Sequence, residues 1–308
     1  MKMNFRNIIE LVEFFRTEEI CVKFLKSILW VNGAKCPHCG GCEIMEYKSD
    51  FKRNRCKSCK KDFSIKAGTI FEDSNIPLKK WFIAMYIFNA HKKGISSVQL
   101  AKDISITQKS AWFILQRLRH ASKNLFTNEF EGVTEIDEAY IGGSESNRHA
   151  KDKKENGEKP KTVVIGLVNR DTKQVKAMKV PTAEKDFLLP KINLNVKNGS
   201  TIVTDSYHAY KDLKKNYKHK SVKHSAGEYV RIEAKAAFKV HTNSIEGFWS
   251  LLKRGINGTY HWVSKKHINK YLAEYSMRYN SREMSDVARF ELFCNNIQGK
   301  LLYKDLIA

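Results

Sequence analysis

The sequence predicts a multidomain α+β chain: a mainly helical N-terminal half, then a mixed α/β part. Three observations lead there. Apolar residues recur at helical spacing to about residue 122, alternate as in strands from about Gly132, and return to helical spacing from Asn243. Helices, then strands, then helices point to separate domains, the later one mixed. Five of the seven cysteines, Cys36, Cys39, Cys42, Cys56 and Cys59, fall within 24 residues. The length of 308 residues suits two or three domains.

In chain order, Thr17 followed by Glu18 and Glu19 reads as a helix start, with Ile20, Phe24, Leu25 and Ile28 on one face and Gly33 ending it. Residues 34–66 are short, polar and cysteine-rich. Pro77 opens a helix through Trp81, Met85 and Phe88, and Gly94 breaks the pattern. Two further helices follow, from Ser96 to Lys102 and from Thr107 to Arg119. Strand-like runs cover Val133–Ile141, Thr162–Val168, Val175–Val180 and Ser200–Thr204. Helical spacing from Asn243 is interrupted at Gly255–Gly258. Gly142 to Lys161 is polar and without pattern, and reads as a mobile loop, either a linker or a segment that orders on a partner.

The charge narrows the partner. There are 55 Lys+Arg against 33 Asp+Glu, a formal charge of +22. With 42% hydrophobic and 11% aromatic residues, this is a folded basic protein and not a disordered basic tail. Such a protein is expected to meet a polyanion, nucleic acid or an anionic membrane. No run approaches 18 apolar residues, so no membrane span is expected. The first fifteen residues carry Glu10 and Glu13 and no signal-type apolar core, so a cytoplasmic location is expected.

Cys36-x-x-Cys39 and Cys56-x-x-Cys59 stand 16 residues apart. Two such pairs on two tight turns supply four thiolates in tetrahedral geometry, the pattern of a zinc ribbon. Phe51 and Phe63 are expected to pack beneath the turns. A closed four-ligand site stabilises the fold and leaves no open position for catalysis. Cys42 and His38 lie outside the paired spacing.

Gly94 to Ala121 has the pattern of a helix-turn-helix. Ala111, Ile114 and Leu118 form the buried face of its second helix. Gln108, Lys109, Gln116, Arg117 and Arg119 are expected on the exposed face, where a recognition helix presents polar groups to bases and basic groups to phosphates. An ordinary helical packing unit is the competing reading.

Acids set into apolar strands of so basic a chain need a reason, because a buried carboxylate is costly unless paired or metal-bound. Asp137 lies within Val133–Ile141, and Asp205 ends the run Thr201–Thr204. Glu246 lies at the start of a helix, with Lys253 seven residues on and on the same face. Three such carboxylates can hold two Mg²⁺ or Mn²⁺ ions, which suits phosphodiester displacement. Glu138 points to the opposite strand face and is expected exposed or paired. His208 is expected to face solvent. Lys211, Lys214, Lys215, Lys218, Lys220 and Lys223, interleaved with Tyr207, Tyr210 and Tyr217, fit DNA-backbone contact or a solvated helix face.

EIDEAYIGG (Glu135 to Gly143), IVTDSYHAY (Ile202 to Tyr210), HTNSIEGFWSLLKRGINGTYH (His241 to His261) and YLAEYSMRYNSR (Tyr271 to Arg282) resemble the DDE transposases of bacterial insertion sequences that carry a zinc ribbon. The resemblance spans about residues 17 to 285. It implies an α/β ribonuclease-H-like (DDE) catalytic domain. It also implies the triad Asp137, Asp205 and Glu246 with Lys253 beside it, two Mg²⁺ or Mn²⁺ ions, and a structural Zn²⁺ on Cys36, Cys39, Cys56 and Cys59. Some members carry Asn at the third position, and Asn243 lies one turn before Glu246. The spacing to Lys253 and the stronger metal affinity of a carboxylate favour Glu246.

The implied reaction cuts double-stranded DNA at the terminal inverted repeats and joins it to target DNA, by a homo-multimer associated with the nucleoid. Gln108, Lys109, Arg117, Arg119, Trp249 and Arg254 are the expected DNA contacts, Trp249 by stacking on an unpaired base. A core aromatic beside Phe248 is the other reading of that residue. The expected domains are 1–33 helical, 34–66 zinc ribbon, 67–125 helix-turn-helix-like, 126–290 catalytic and 291–308 a C-terminal tail. A catalytically dead DNA-binding regulator and a nuclease that cuts without joining are the competing functions.

Overall fold

Side-chain caps start the first helices. Asn7 accepts from the Glu10 amide ahead of α1 (Ile8–Phe14), and Thr17 accepts from the Ile20 amide ahead of α2 (Glu18–Leu29). The computed structural model describes residues 3, 5–123, 125–126, 128–142, 161–233, 238–299 and 301–307. These divide into two units, Met1–Leu125 with Glu283–Ala308, and Phe126–Arg282. The patternless segment falls largely on residues 143–160, outside the described residues.

In the first unit, β1 (Ile44–Glu46), β2 (Arg53–Cys56) and β3 (Asp62–Ser64) form an antiparallel sheet in that order. α3 (Leu78–Ala90) follows Pro77, which has no side-chain acceptor to offer. Glu18 of α2 supplies one, accepting from the amides of Leu78 and Lys79 at 2.8 and 3.2 Å. That bond ties α2 to the start of α3 and satisfies donors every helix leaves open. α4 (Ser97–Asp103) and α5 (Gln108–Ser122) are capped by Ser96 and Thr107, and bury Leu100, Ala111, Ile114 and Leu118.

The second unit is built on a five-stranded sheet. Its strands are β4 (Val133–Ile141), β5 (Thr162–Asn169), β6 (Gln174–Val180), β7 (Thr201–Asp205) and β8 (Lys218–Val222), in the order β6-β5-β4-β7-β8. β4, β5 and β6 pair antiparallel, whereas β7 and β8 continue parallel to β4. α6 (Lys185–Asn195) packs on one face, where Ile136, Ile165, Leu188, Ile192 and Tyr210 share a core. A short hairpin, β9 (Arg231–Glu233) and β10 (Phe238–Val240), precedes α7 (Asn243–Gly255). α7 and α8 (Ile268–Asn280) cover the other face with Ala139, Val164, Ile245, Phe248 and Leu272. Helices on both faces explain why all of β5 is buried.

The helix expected to break at Gly255–Gly258 widens instead into a π-helical turn, Ile256–Tyr260. A Cβ at Gly255 would meet the Tyr275 hydroxyl, so only glycine fits. The lysine-rich stretch after β7 is a 3₁₀ turn, His208–Lys215, followed by β8. Its Tyr210 and Tyr217 are buried core residues, which corrects their reading as DNA contacts. Lys220 is half buried and paired with Glu233, while Lys211, Lys214, Lys215, Lys218 and Lys223 are exposed.

The chain then returns to the first unit through α9 (Asp286–Cys294) and α10 (Tyr303–Ile307). The Ile70 amide donates to the Ile297 carbonyl at 2.9 Å, and the Asn296 side chain donates to the Ala121 carbonyl at 2.6 Å. Residues 291–308 are therefore an integral part of the N-terminal unit and not a free tail.

Candidate metal centres and nucleic-acid contacts

Cys36, Cys39, Cys56 and Cys59 place their sulfurs within 4.8 Å of one another. The Cys36–Cys59 and Cys39–Cys56 separations are 3.7 and 3.6 Å. Zn–S bonds of about 2.3 Å at tetrahedral angles require about 3.8 Å, so the cage fits zinc. The Cys59 backbone amide turned on Cys56 lowers that thiol, while hydrogen bonding to the neighbouring sulfurs pushes Cys39 up. Phe63 is buried beneath the turns, but Phe51 is exposed, contrary to expectation. Cys42 is exposed and outside the cluster.

In α5, Gln108 and Lys109 are exposed as expected. Gln116, Arg117 and Arg119 are buried, which corrects their assignment to a DNA-facing surface. The Arg117 guanidinium is 2% exposed and donates to the carbonyls of Ile70, Glu72 and Leu301 at 2.6, 2.6 and 2.9 Å. Of these, Arg117 reaches the C-terminal return of the chain at Leu301. Arg117 serves as an internal bracket because its planar fork satisfies several carbonyls at once.

In the second unit, Asp137 lies on β4 and Asp205 ends β7, the strand paired parallel to it. Glu246 lies in the first turn of α7. An open cleft of about 710 Å³ is lined by Asp137, Glu246, Lys253, Arg254 and Asn257 among others. Asn243 is exposed at the helix start, and neither it nor Asp205 is among the cleft residues. Burial pushes the Asp137 carboxyl up to about 6, and the charges of Asp205 and Glu246 add to the rise. Asp205 and Glu246 thus add a like-charge field to the burial of Asp137.

Each carboxylate is held. Asp205 accepts from the Tyr207 amide at 3.0 Å, and Glu246 accepts from the Thr242 hydroxyl at 2.8 Å. His224 stands 3.0 Å from the same hydroxyl. Glu138, on the opposite strand face, accepts a hydrogen bond from Tyr210, and burial raises its carboxyl to about 8. His208 is exposed and packs its ring edge-on against Tyr207. Lys253 and Arg254 are exposed at the cleft.

Trp249 departs from its expected role of stacking on a base. It is 4% exposed, and its indole N–H donates to Asp137 Oδ2 at 3.0 Å. Two residues escaped the sequence reading. Glu135 is fully buried and accepts from the amides of Ser244 and Ile245 at 2.8 and 3.1 Å, with Arg170 Nε at 2.7 Å. The available signal was parity: Glu135 shares a strand face with Asp137 inside an apolar run.

A four-cysteine cage in a three-stranded ribbon, followed by a mixed sheet bearing acids at its edge with α7, defines a chain of two structural modules. The particular family follows from comparison with known proteins. Residues 129–280 match the ISXO2-like transposase domain, and residues 16–62 match the transposase zinc-ribbon domain. The chain belongs to the insertion-sequence transposases that carry these two domains. It is also similar to a Halobacterium salinarum protein described as an uncharacterized protein in transposable element ISH50. The two are 27% identical over 281 residues, 87% of this chain and 92% of the relative. Among the described residues, no helix is long and apolar enough to cross a membrane.

Proposed function

We propose that this transposase binds the terminal inverted repeats of its element, cuts them, and joins the freed ends to target DNA by divalent-metal-dependent phosphodiester chemistry. The observation that carries the reading is the cleft where Asp137 of β4 and Glu246 of α7 meet, lined also by Lys253 and Arg254, with Asp205 at the end of the strand paired to β4. Hard carboxylate oxygens suit Mg²⁺ or Mn²⁺. The three acids would hold two such ions, which when bound polarise the attacking oxygen and neutralise the leaving one. The mixed sheet with helices on both faces supports a ribonuclease-H-like reading of this unit.

This chain's own side chains then have distinct tasks. Asp137, Asp205 and Glu246 bind the cations. Lys253 and Arg254 attract the phosphate into the cleft and orient it. Gln108 and Lys109, exposed on the first turn of α5, contact the repeat. Synapsis of two ends calls for a multimer on DNA, within the nucleoid.

The test is a cleavage and joining assay on duplexes carrying the element's ends. Wild type with Mg²⁺ or Mn²⁺ cuts and joins, whereas Asp137→Asn binds the same duplex without cutting. Full activity in Asp137→Asn sinks the triad assignment. Cutting without joining makes the protein a nuclease, and binding without either makes it a regulator.

A further inference from the structure

We infer that Glu135 and Trp249 are positioning residues that latch α7 onto β4 at two points and so set Asp137 and Glu246 for cation binding. The inference rests on the proposed reading of those two acids as ligands.

The first point lies at the helix start. Thr242, at the cap position of α7, gives no side-chain cap bond to the helix amides. Glu135 reaches from the sheet to take that place, accepting from the Ser244 and Ile245 amides and from the Ser244 hydroxyl at 3.0 Å. A carboxylate at a helix N-terminus meets both open donors and the positive end of the dipole. Arg170 offsets its buried charge and also donates to the carbonyls of Lys239 and His241, at 2.7 Å each, on the segment leading into α7.

The second point is the indole of Trp249 on Asp137. It depends on a glycine. Gly166 of β5 pairs directly with Asp137 in the sheet register. A Cβ at Gly166 would lie 2.6 Å from both Trp249 Cζ2 and Ile245 Cδ1. The missing side chain is thus a notch in the sheet, into which the indole sinks far enough for its N–H to reach the carboxylate.

The two points match in length. Glu135 to Asp137 advances about 6.6 Å along a strand. Ile245 to Trp249 advances about 6 Å along a helix. A helix anchored at both ends of that interval cannot slide or rotate against the strand, and Glu246 lies inside it. The N–H also engages Oδ2 of Asp137 and so holds the rotamer of the carboxylate. Residues in such a supporting position typically cost 10–100-fold in metal affinity or activity when changed.

Trp249→Phe in the full, zinc-loaded chain removes the donor and keeps a ring over Gly166. Mn²⁺ binding without DNA, read from the electron paramagnetic resonance of free Mn²⁺, is expected to weaken about 10–100-fold. The melting temperature without added Mn²⁺ is expected to stay close to wild type, and raised Mn²⁺ to restore cleavage. A purely structural role for Trp249 would lower the melting temperature and leave the Mn²⁺ constant unchanged. Should the Phe variant fail to fold, Glu135→Gln tests the other point by the same readout. If Asp137→Asn abolishes Mn²⁺ binding while both variants bind like wild type, the latch is overturned. If Asp137→Asn binds Mn²⁺ like wild type, the ligand reading fails and the latch falls with it.

Discussion

Cys36 and Cys59 are 23 residues apart in sequence, and their sulfurs stand 3.7 Å from each other. Asp137 and Trp249 are 112 residues apart, yet the indole of one fixes the carboxylate of the other. The cysteine cage is made by two turns of one short ribbon, so its geometry is local. The carboxylate cleft is assembled from β4 and α7, distant in sequence and brought together by the second unit. The cage gathers soft ligands and closes on them. The cleft is open to solvent and is lined by acids from separate elements. A closed metal site stabilises its fold, whereas partly buried acids cost stability unless a partner offsets their charge.

The largest effect should come from the closed site. Removing zinc with a chelator, or substituting Cys56→Ser, takes away binding energy of about 10–16 kcal/mol in comparable structural sites. Residues 34–66 should lose protease resistance while the carboxylate unit melts as before. The contrast breaks if the zinc-free ribbon stays resistant. An intermediate effect is expected at Arg117. Arg117→Met leaves three carbonyls without their charged donor and should cost about 3 kcal/mol in the first unit. Lys109→Ala should leave stability unchanged and reduce the salt slope of DNA binding by about 1. If Arg117→Met instead melts like wild type and weakens DNA binding, the bracket assignment is wrong.

A further effect, spread over several pH units, is a pH dependence at Glu138. The Glu138 carboxyl is raised to about 8 in the folded chain, against about 4.3 in an unfolded one. The folded state therefore holds this proton more tightly. Its stabilising contribution is complete below about pH 4 and is lost as pH rises through about 8. Without added Mg²⁺, Glu138→Gln should gain in melting temperature over wild type as pH rises from 5 to 9. Parallel curves for the two proteins would remove Glu138 from the like-charge strain of the cleft.

Much of this molecule was legible before folding was considered. The caps at Thr17 and Thr107, the strand Val133–Ile141 and the paired cysteines all depend on neighbours in sequence, where spacing and geometry are nearly the same statement. The errors fall where a distant segment covers a surface. Arg117 occupies a polar position on a helix that local pattern turns outward, but residues from distant segments, Ile70, Glu72 and Leu301, present their carbonyls to it. Trp249 has the right spacing to share a face with Glu246, and only Gly166, far away on β5, decides that the ring sinks inward.

The four-cysteine cage and the change from helices to a mixed sheet could be read from residue type and short-range spacing, which carry that information. Which basic and aromatic groups face solvent, and that Glu135 caps the helix bearing Glu246, followed from packing between distant segments. Those outcomes depend on which backbone amides and carbonyls are buried without local partners. Such groups are satisfied by whichever side chain the fold brings within reach.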